Sequence, residues 1–270
     1  MPTKIEWAEE TWNPITGCTP VSEGCEHCYA RRMAQRLAGR YGYPKEDPFR
    51  PGVFHPDKLD LPYSWGRPRH VFVCSMGDLF HVGVTQEHIN AVLNTVSNAL
   101  RHRFLFLTKR PERMALGIAA WRKAEFEGRF STGATMREQG ANERMWLGVT
   151  AENQKRADER IPVLLKIPAA VRFVSLEPLL GPVDLREGRY WIDSRRQLAI
   201  DVGLGHLGAD NPMLGFVIVG AETGPGARPM DLDWARQVRD QCQEAGVPFF
   251  FKKDSDGNRE LDGRLWEERV

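Results

Sequence analysis

Cys18, Cys25 and Cys28 stand within eleven residues, spaced C-x6-C-x2-C, and the chain runs from the last of them into an amphipathic, arginine-rich stretch. The last two thiols lie one tight turn apart. Gly17, Pro20 and Gly24 let the loop fold back toward a common centre, which is how a chain presents thiolates to a metal. A structural zinc ion takes four protein ligands, and the remaining candidates for a fourth fit poorly. His27 lies inside the loop. Cys74 sits within a strand-like run and Cys242 on an apolar helical stripe, where a thiol packs as a small hydrophobe. Three thiolates without a fourth suit an iron–sulfur cluster with one iron left open for a substrate or cofactor.

Such a loop needs a frame. Six short runs rich in apolar, β-branched and aromatic residues recur along the chain: HVFVCSM (70–76), FLFLTK (104–109), MWLGVT (145–150), VRFVSLE (171–177), GFVIVGAE (215–222) and PFFFKK (248–253). They are apolar on both faces, as strands of a parallel sheet are when crossover helices cover it. Thr85 is placed to cap a helix with the stripe Ile89, Val92, Leu93, Val96 and Leu100. Asp231 is placed to cap another that carries Trp234, Val238 and Cys242 and stops at Gly246. The segment TWNPITG reads as a short first strand that delivers the cysteine loop. Residues 120–144 and 184–214 break the rhythm and read as insertions, the second with a hairpin around Arg189 to Ile200. The expected fold is α/β, a single domain over residues 1–270.

Ligands of parallel α/β folds bind where strands end. Those ends carry Asp78, Lys109, Arg110, Glu152, Glu177, Glu222, Lys252 and Lys253, so every strand delivers a polar or ionisable group to one rim. The two lysines near the C-terminus, with Arg31, Arg32, Lys109 and Arg110, would make a basic mouth suited to a phosphate-bearing substrate. Net charge is only +1, which gives little of the general attraction that drives nucleic-acid binding. A chain of 270 residues, 41% hydrophobic, has enough material for a full core. No apolar run reaches signal-peptide or membrane-helix length, so the expectation is a cytoplasmic protein with no membrane contact. Five cysteines in a reducing compartment favour metal or redox chemistry over a disulfide framework.

The segments KIEWAEETWNPITGC, VFVCSMGDLFH, LTKRPERM, WLGVTAENQ, VRFVSLEPLLGPVDL, VIVGAETGPGARPMD and QCQEAGVPFFFK, together with the cysteine loop, follow one another over nearly the whole chain. In this the sequence resembles the phage and bacterial three-cysteine-motif family of unknown function, which is similar in turn to radical S-adenosylmethionine enzymes. That resemblance implies a partial (β/α)6 barrel of TIM type. It also implies a 4Fe-4S cluster on Cys18, Cys25 and Cys28, whose free iron chelates the amino and carboxylate groups of S-adenosylmethionine to generate a 5'-deoxyadenosyl radical. The usual radical motif is C-x3-C-x2-C, so this loop is three residues longer, and His27 stands where an aromatic residue packs against adenine. Asp78 replaces the usual Gly-Gly-Glu as the carboxylate for the cofactor's amino group. Glu152 and Glu222 are further cofactor candidates, and Lys109, Arg110, Glu177 and Lys252 are substrate candidates. The implied partners are an electron donor, a separately encoded partner protein and a nucleic acid or nucleotide substrate.

Two other readings stand beside this one. The cysteines could hold zinc in a nucleic-acid-binding or adaptor module. Alternatively, the chain is a metal-independent α/β enzyme in which Glu152, Glu177 and Glu222 serve as acid–base residues.

Overall fold

The chain opens with β1 (Glu10–Trp12), β2 (Ile15–Thr16) and β3 (Val53–Phe54). The six apolar runs then supply β4 (His70–Val73), β5 (Arg103–Thr108), β6 (Met145–Thr150), β7 (Val171–Leu176), β8 (Phe216–Val219) and β9 (Phe249–Phe251). The helices are α1 (Tyr29–Arg36), α2 (Leu61–Ser64), α3 (Gln86–Asn98), α4 (Pro111–Phe126), α5 (Gln154–Leu165) and α6 (Leu232–Ala245). This computed structural model describes residues 5–127, 144–186, 191–192 and 213–270.

The strand order β1–β4–β5–β6–β7–β8–β9 makes a seven-stranded sheet. The pairings β1–β4, β4–β5, β7–β8 and β8–β9 are parallel. Neighbours that follow chain order, most with a helix between them, are the topology of a partial (β/α) barrel, so the α/β expectation holds. The chain divides into two compact units, Met1–Leu147 with Pro168–Ala170 and Gly148–Ile167 with Val171–Val270, the division falling within β6.

In the first unit, Trp12, Val71, Phe104 and Phe106 are almost wholly removed from solvent. Each such side chain contributes about 1.5–3 kcal/mol on burial. Thr85 caps α3 by accepting the His88 N–H, and Ile89, Val92, Leu93 and Val96 form its buried stripe. Leu100 does not belong to that stripe: the helix ends at Asn98, and Leu100 is 65% exposed. The segment TWNPITG is not one strand. β1 stops at Trp12, and Asn13 and Pro14 turn the chain out of the parallel sheet, because proline cannot donate to a ladder. Ile15 and Thr16 then pair antiparallel with Phe54 and Val53.

In the second unit, Phe173, Phe216, Phe249 and Phe250 make the core. Asp231 caps α6 by accepting the Asp233 N–H, and Gly246 ends it in the left-handed conformation at φ 64°. That conformation favours a residue without Cβ. The stripe of α6 holds Val238 and Cys242 as expected, with Trp234 half-buried.

The expected insertion at 120–144 begins inside a helix, since α4 runs to Phe126. Trp121 is buried there and donates its indole N–H to Asn94 Oδ1 at 2.8 Å. The hairpin expected around Arg189 to Ile200 lies outside the described residues apart from Trp191 and Ile192, both buried. Among the described residues no helix is long and apolar enough to cross a membrane.

Candidate metal centre

The cysteine loop starts at a backbone crossing. Gly17 sits at φ 86°, and a Cβ there would lie 1.8 Å from the Arg50 carbonyl oxygen. Its N–H donates to the Met76 carbonyl at 3.0 Å, and the Cys18 N–H donates to the Phe49 carbonyl at 3.3 Å. Only glycine allows so close an approach in that conformation. Replacing Gly17 by alanine should therefore displace the loop at its root. Iron loading is expected to drop several-fold while the far-ultraviolet circular dichroism stays that of an α/β protein; full loading of that variant would contradict the reading.

Beyond Cys18 the chain makes one 3-10 turn, Glu23–Cys25, and enters α1 with Cys28 at its N-cap position. The Cys28 side chain makes no capping hydrogen bond. Tyr29, the next residue, donates its hydroxyl to the Ser75 carbonyl at 2.5 Å and ties the start of α1 to the loop after β4. Cys18 and Cys28 pack against the same apolar cluster of Ala30, Ala34, Tyr43 and Phe49. All three loop cysteines are free and half-buried, whereas Cys74 and Cys242 are buried. His27 is half-buried in the same loop.

A second set of residues meets Cys18. Arg110, after β5, donates from Nη1 to Cys18 Sγ at 3.3 Å and to Asp78 Oδ2 at 2.8 Å. Its Nη2 donates to the Thr19 carbonyl at 2.9 Å. Asp78 is buried, and both its oxygens are engaged: Thr108 Oγ1 lies 2.9 Å from each and shares its one O–H between them, and the Phe80 N–H donates to Oδ1 at 2.9 Å. His81 accepts the Gly83 N–H on Nδ1, so its proton lies on Nε2 and is donated to Thr19 Oγ1 at 2.8 Å. Burial first, then Arg110, lowers the His81 pKa and keeps the ring neutral. Burial, then the nearby Asp78 carboxylate, pushes the Cys18 thiol up to about 11 against the pull of Arg110. A metal taking Cys18 displaces that proton.

Asn13, which follows β1, accepts the Met76 N–H at 2.9 Å and the Ser75 hydroxyl at 3.2 Å. The ends of β1, β4 and β5 are thus joined through polar side chains at the mouth of the cysteine loop. Sequence reasoning placed Cys18, Cys25, Cys28, Asp78, Lys109 and Arg110 in this region and missed Asn13, Thr19, Tyr29 and His81. A polar residue directly before Pro14 was the signal available for Asn13. Nothing local marks His81. Lys109 is half-buried beside Arg110.

In the second unit, Glu152 and Arg160 form an ion pair at 2.9 Å, with side-chain exposures of 0% and 6%. Arg160 also donates to the Thr150 carbonyl at 2.7 Å. Glu222 accepts from Arg228 through both oxygens, at 2.9 Å and 2.6 Å. Glu177 accepts from Lys252 Nζ. The two rim carboxylates Glu152 and Glu222 therefore each face an arginine of their own unit, as Asp78 does in the first.

Among the described residues no three His, Cys, Asp or Glu side chains close on a single point. A cubane cluster would take three thiolates on three different irons, so its ligands need not meet at one point. Three half-buried thiols on one loop, two of them on one apolar wall and one receiving a guanidinium, fit that donor set.

Curated proteins give no match to the chain. Among solved structures it is similar to a cysteine-to-serine mutant of spore photoproduct lyase, at 12% identity and a TM-score of 0.49, over 93% of this chain and 78% of that one. The family described as "Protein of unknown function (DUF5131)" matches residues 2–269. That match takes in the cysteine loop and every described strand, and this protein belongs to that family.

Proposed function

We propose that this protein is a radical S-adenosylmethionine enzyme whose 4Fe-4S cluster is held by Cys18, Cys25 and Cys28. The observation that carries the proposal is the placement of the C-x6-C-x2-C loop. It follows β1 by way of the short antiparallel β2, Arg110 after β5 joins Asp78 after β4 to Cys18, and Asn13 after β1 holds Met76, whose carbonyl accepts the Gly17 N–H. When bound, such a cluster supplies the electron that cleaves the sulfonium of S-adenosylmethionine.

The chain's own residues have distinct tasks. Cys18, Cys25 and Cys28 would each hold one iron, and the apolar wall of Ala30, Ala34, Tyr43 and Phe49 would keep water from one side of the site. His27 offers a ring face for adenine. Asp78 and Arg110 act toward Cys18, Glu222 is the carboxylate assigned to the cofactor, and Glu152, sequestered on Arg160, holds the fold. Lys109 in the first unit, and Glu177 with Lys252 in the second, are proposed as contacts for a nucleic acid or nucleotide substrate. An electron donor is required, and a separately encoded partner protein belongs to the same proposal.

The test uses anaerobically reconstituted, reduced protein. Adding S-adenosylmethionine is expected to change the cluster's electron paramagnetic resonance spectrum, and slow release of 5'-deoxyadenosine is expected even without the true substrate. A fully loaded cluster whose spectrum ignores S-adenosylmethionine would make the cluster structural or electron-carrying and overturn the proposal.

A further inference from the structure

We infer that Arg110 is a positioning residue which, oriented by Asp78, sets the reduction potential of the cluster through Cys18. The inference rests on the cluster reading above and assigns Arg110 a task other than binding substrate. Four observations support it. The guanidinium lies 3.3 Å from Cys18 Sγ and 2.8 Å from Asp78 Oδ2, so one nitrogen bridges the sulfur and the carboxylate. The pair is sequestered, with side-chain exposures of 11% and 7%. Asp78 is itself held in place, since the Thr108 hydroxyl lies 2.9 Å from both its oxygens and the Phe80 N–H donates to Oδ1. The other half of the guanidinium is pinned by Thr19, on its carbonyl and its hydroxyl, and that hydroxyl is held in turn by His81.

Arginine is a permanent cation with a fixed fork of donors. Held this way, the pair is an oriented dipole with its positive end on the ligand sulfur. One electron entering the cluster from an external reductant makes the cluster and its thiolates more negative by one charge. A donor aimed at a ligand sulfur favours that reduced state, and hydrogen bonds to the sulfurs are among the features that set cluster potentials. The positive end therefore raises the potential, and the Asp78 charge partly offsets it.

That arrangement predicts shifts of opposite sign. Removing Arg110 alone would leave Asp78 buried without its cation and could unfold the chain, so the first variant is Arg110→Met with Asp78→Asn, which removes both charges. The second is Asp78→Asn alone, which keeps Arg110 on Cys18 and Thr19 but deletes the opposing charge. Cluster-loaded protein is titrated with dithionite without S-adenosylmethionine, and the reduced signal is read by electron paramagnetic resonance. At a fixed potential the double variant should show a reduced-to-oxidised ratio about tenfold lower than wild type, a midpoint shift of about 59 mV for one electron. Asp78→Asn should shift the ratio the other way.

A merely structural role would not reverse the sign. Equal midpoints in the loaded proteins, or shifts in one direction for both, would overturn the inference and leave the cluster reading intact. Should one variant fail to fold, the sign of the shift in the other decides. A wild-type chain that takes up no cluster would remove both readings together.

Discussion

Replacing Cys18, Cys25 or Cys28 by alanine is expected to cut iron and sulfide loading to below about half of the wild-type content, since each thiolate is one of three anchors of the cluster. The same substitution at Cys74 or Cys242 should leave loading unchanged. These two are buried, Cys74 at the end of β4 with its thiol pushed up by burial to about 12, and Cys242 on the buried stripe of α6. Their loss costs packing, about 1 kcal/mol, and no metal. Iron and acid-labile sulfide assays on the five variants, with urea melts of the unloaded proteins, separate the two groups. Equal loading of all five would mean that the loop does not hold the metal.

Removing the Glu152 carboxylate is expected to destabilise the fold by about 3–5 kcal/mol, because Arg160 would be left charged and buried with no counter-ion. The pair is sequestered, and Arg160 is further committed to the Thr150 carbonyl. The urea midpoint of Glu152→Ala should fall well below that of wild type. Glu152→Leu combined with Arg160→Met should recover most of the loss, since no unpaired charge remains. An unchanged midpoint in Glu152→Ala, together with a weakened response to S-adenosylmethionine, would instead make Glu152 a cofactor contact that opens to the site.

These residues also mark how far sequence reasoning reaches. The six strands from β4 to β9 were legible because each is buried on both faces and so reads as a continuous apolar run; β6 and β8, for instance, are buried at every position. The capped helices α3 and α6 were legible because a side-chain cap and a periodic stripe are local signals. The first strand was misjudged at its end, since three residues of β1 carry almost no pattern and the break comes from Asn13 and Pro14. The start of α4 was separated from its polar last turns, although Trp121 anchors that part of the helix.

The cysteine loop was legible because spacing alone brings thiols together. The partners of the rim residues were not. Asp78 and Arg110 are 32 positions apart, and Glu177 and Lys252 are 75 apart. Each charge could be placed at a strand end from sequence, but whether it faces substrate or an opposite charge is decided by neighbouring loops. That is why Asp78, Glu152 and Glu222, all read as cofactor carboxylates, are each found on an arginine.

Anaerobic reconstitution of the wild-type chain with iron and sulfide, followed by metal and acid-labile sulfide analysis, tests the cluster directly. The expected result is about four iron and four sulfide per chain, with S-adenosylmethionine altering the spectrum of the reduced form. Stoichiometric zinc bound without sulfide, and no cluster obtainable under any reducing condition, would contradict it.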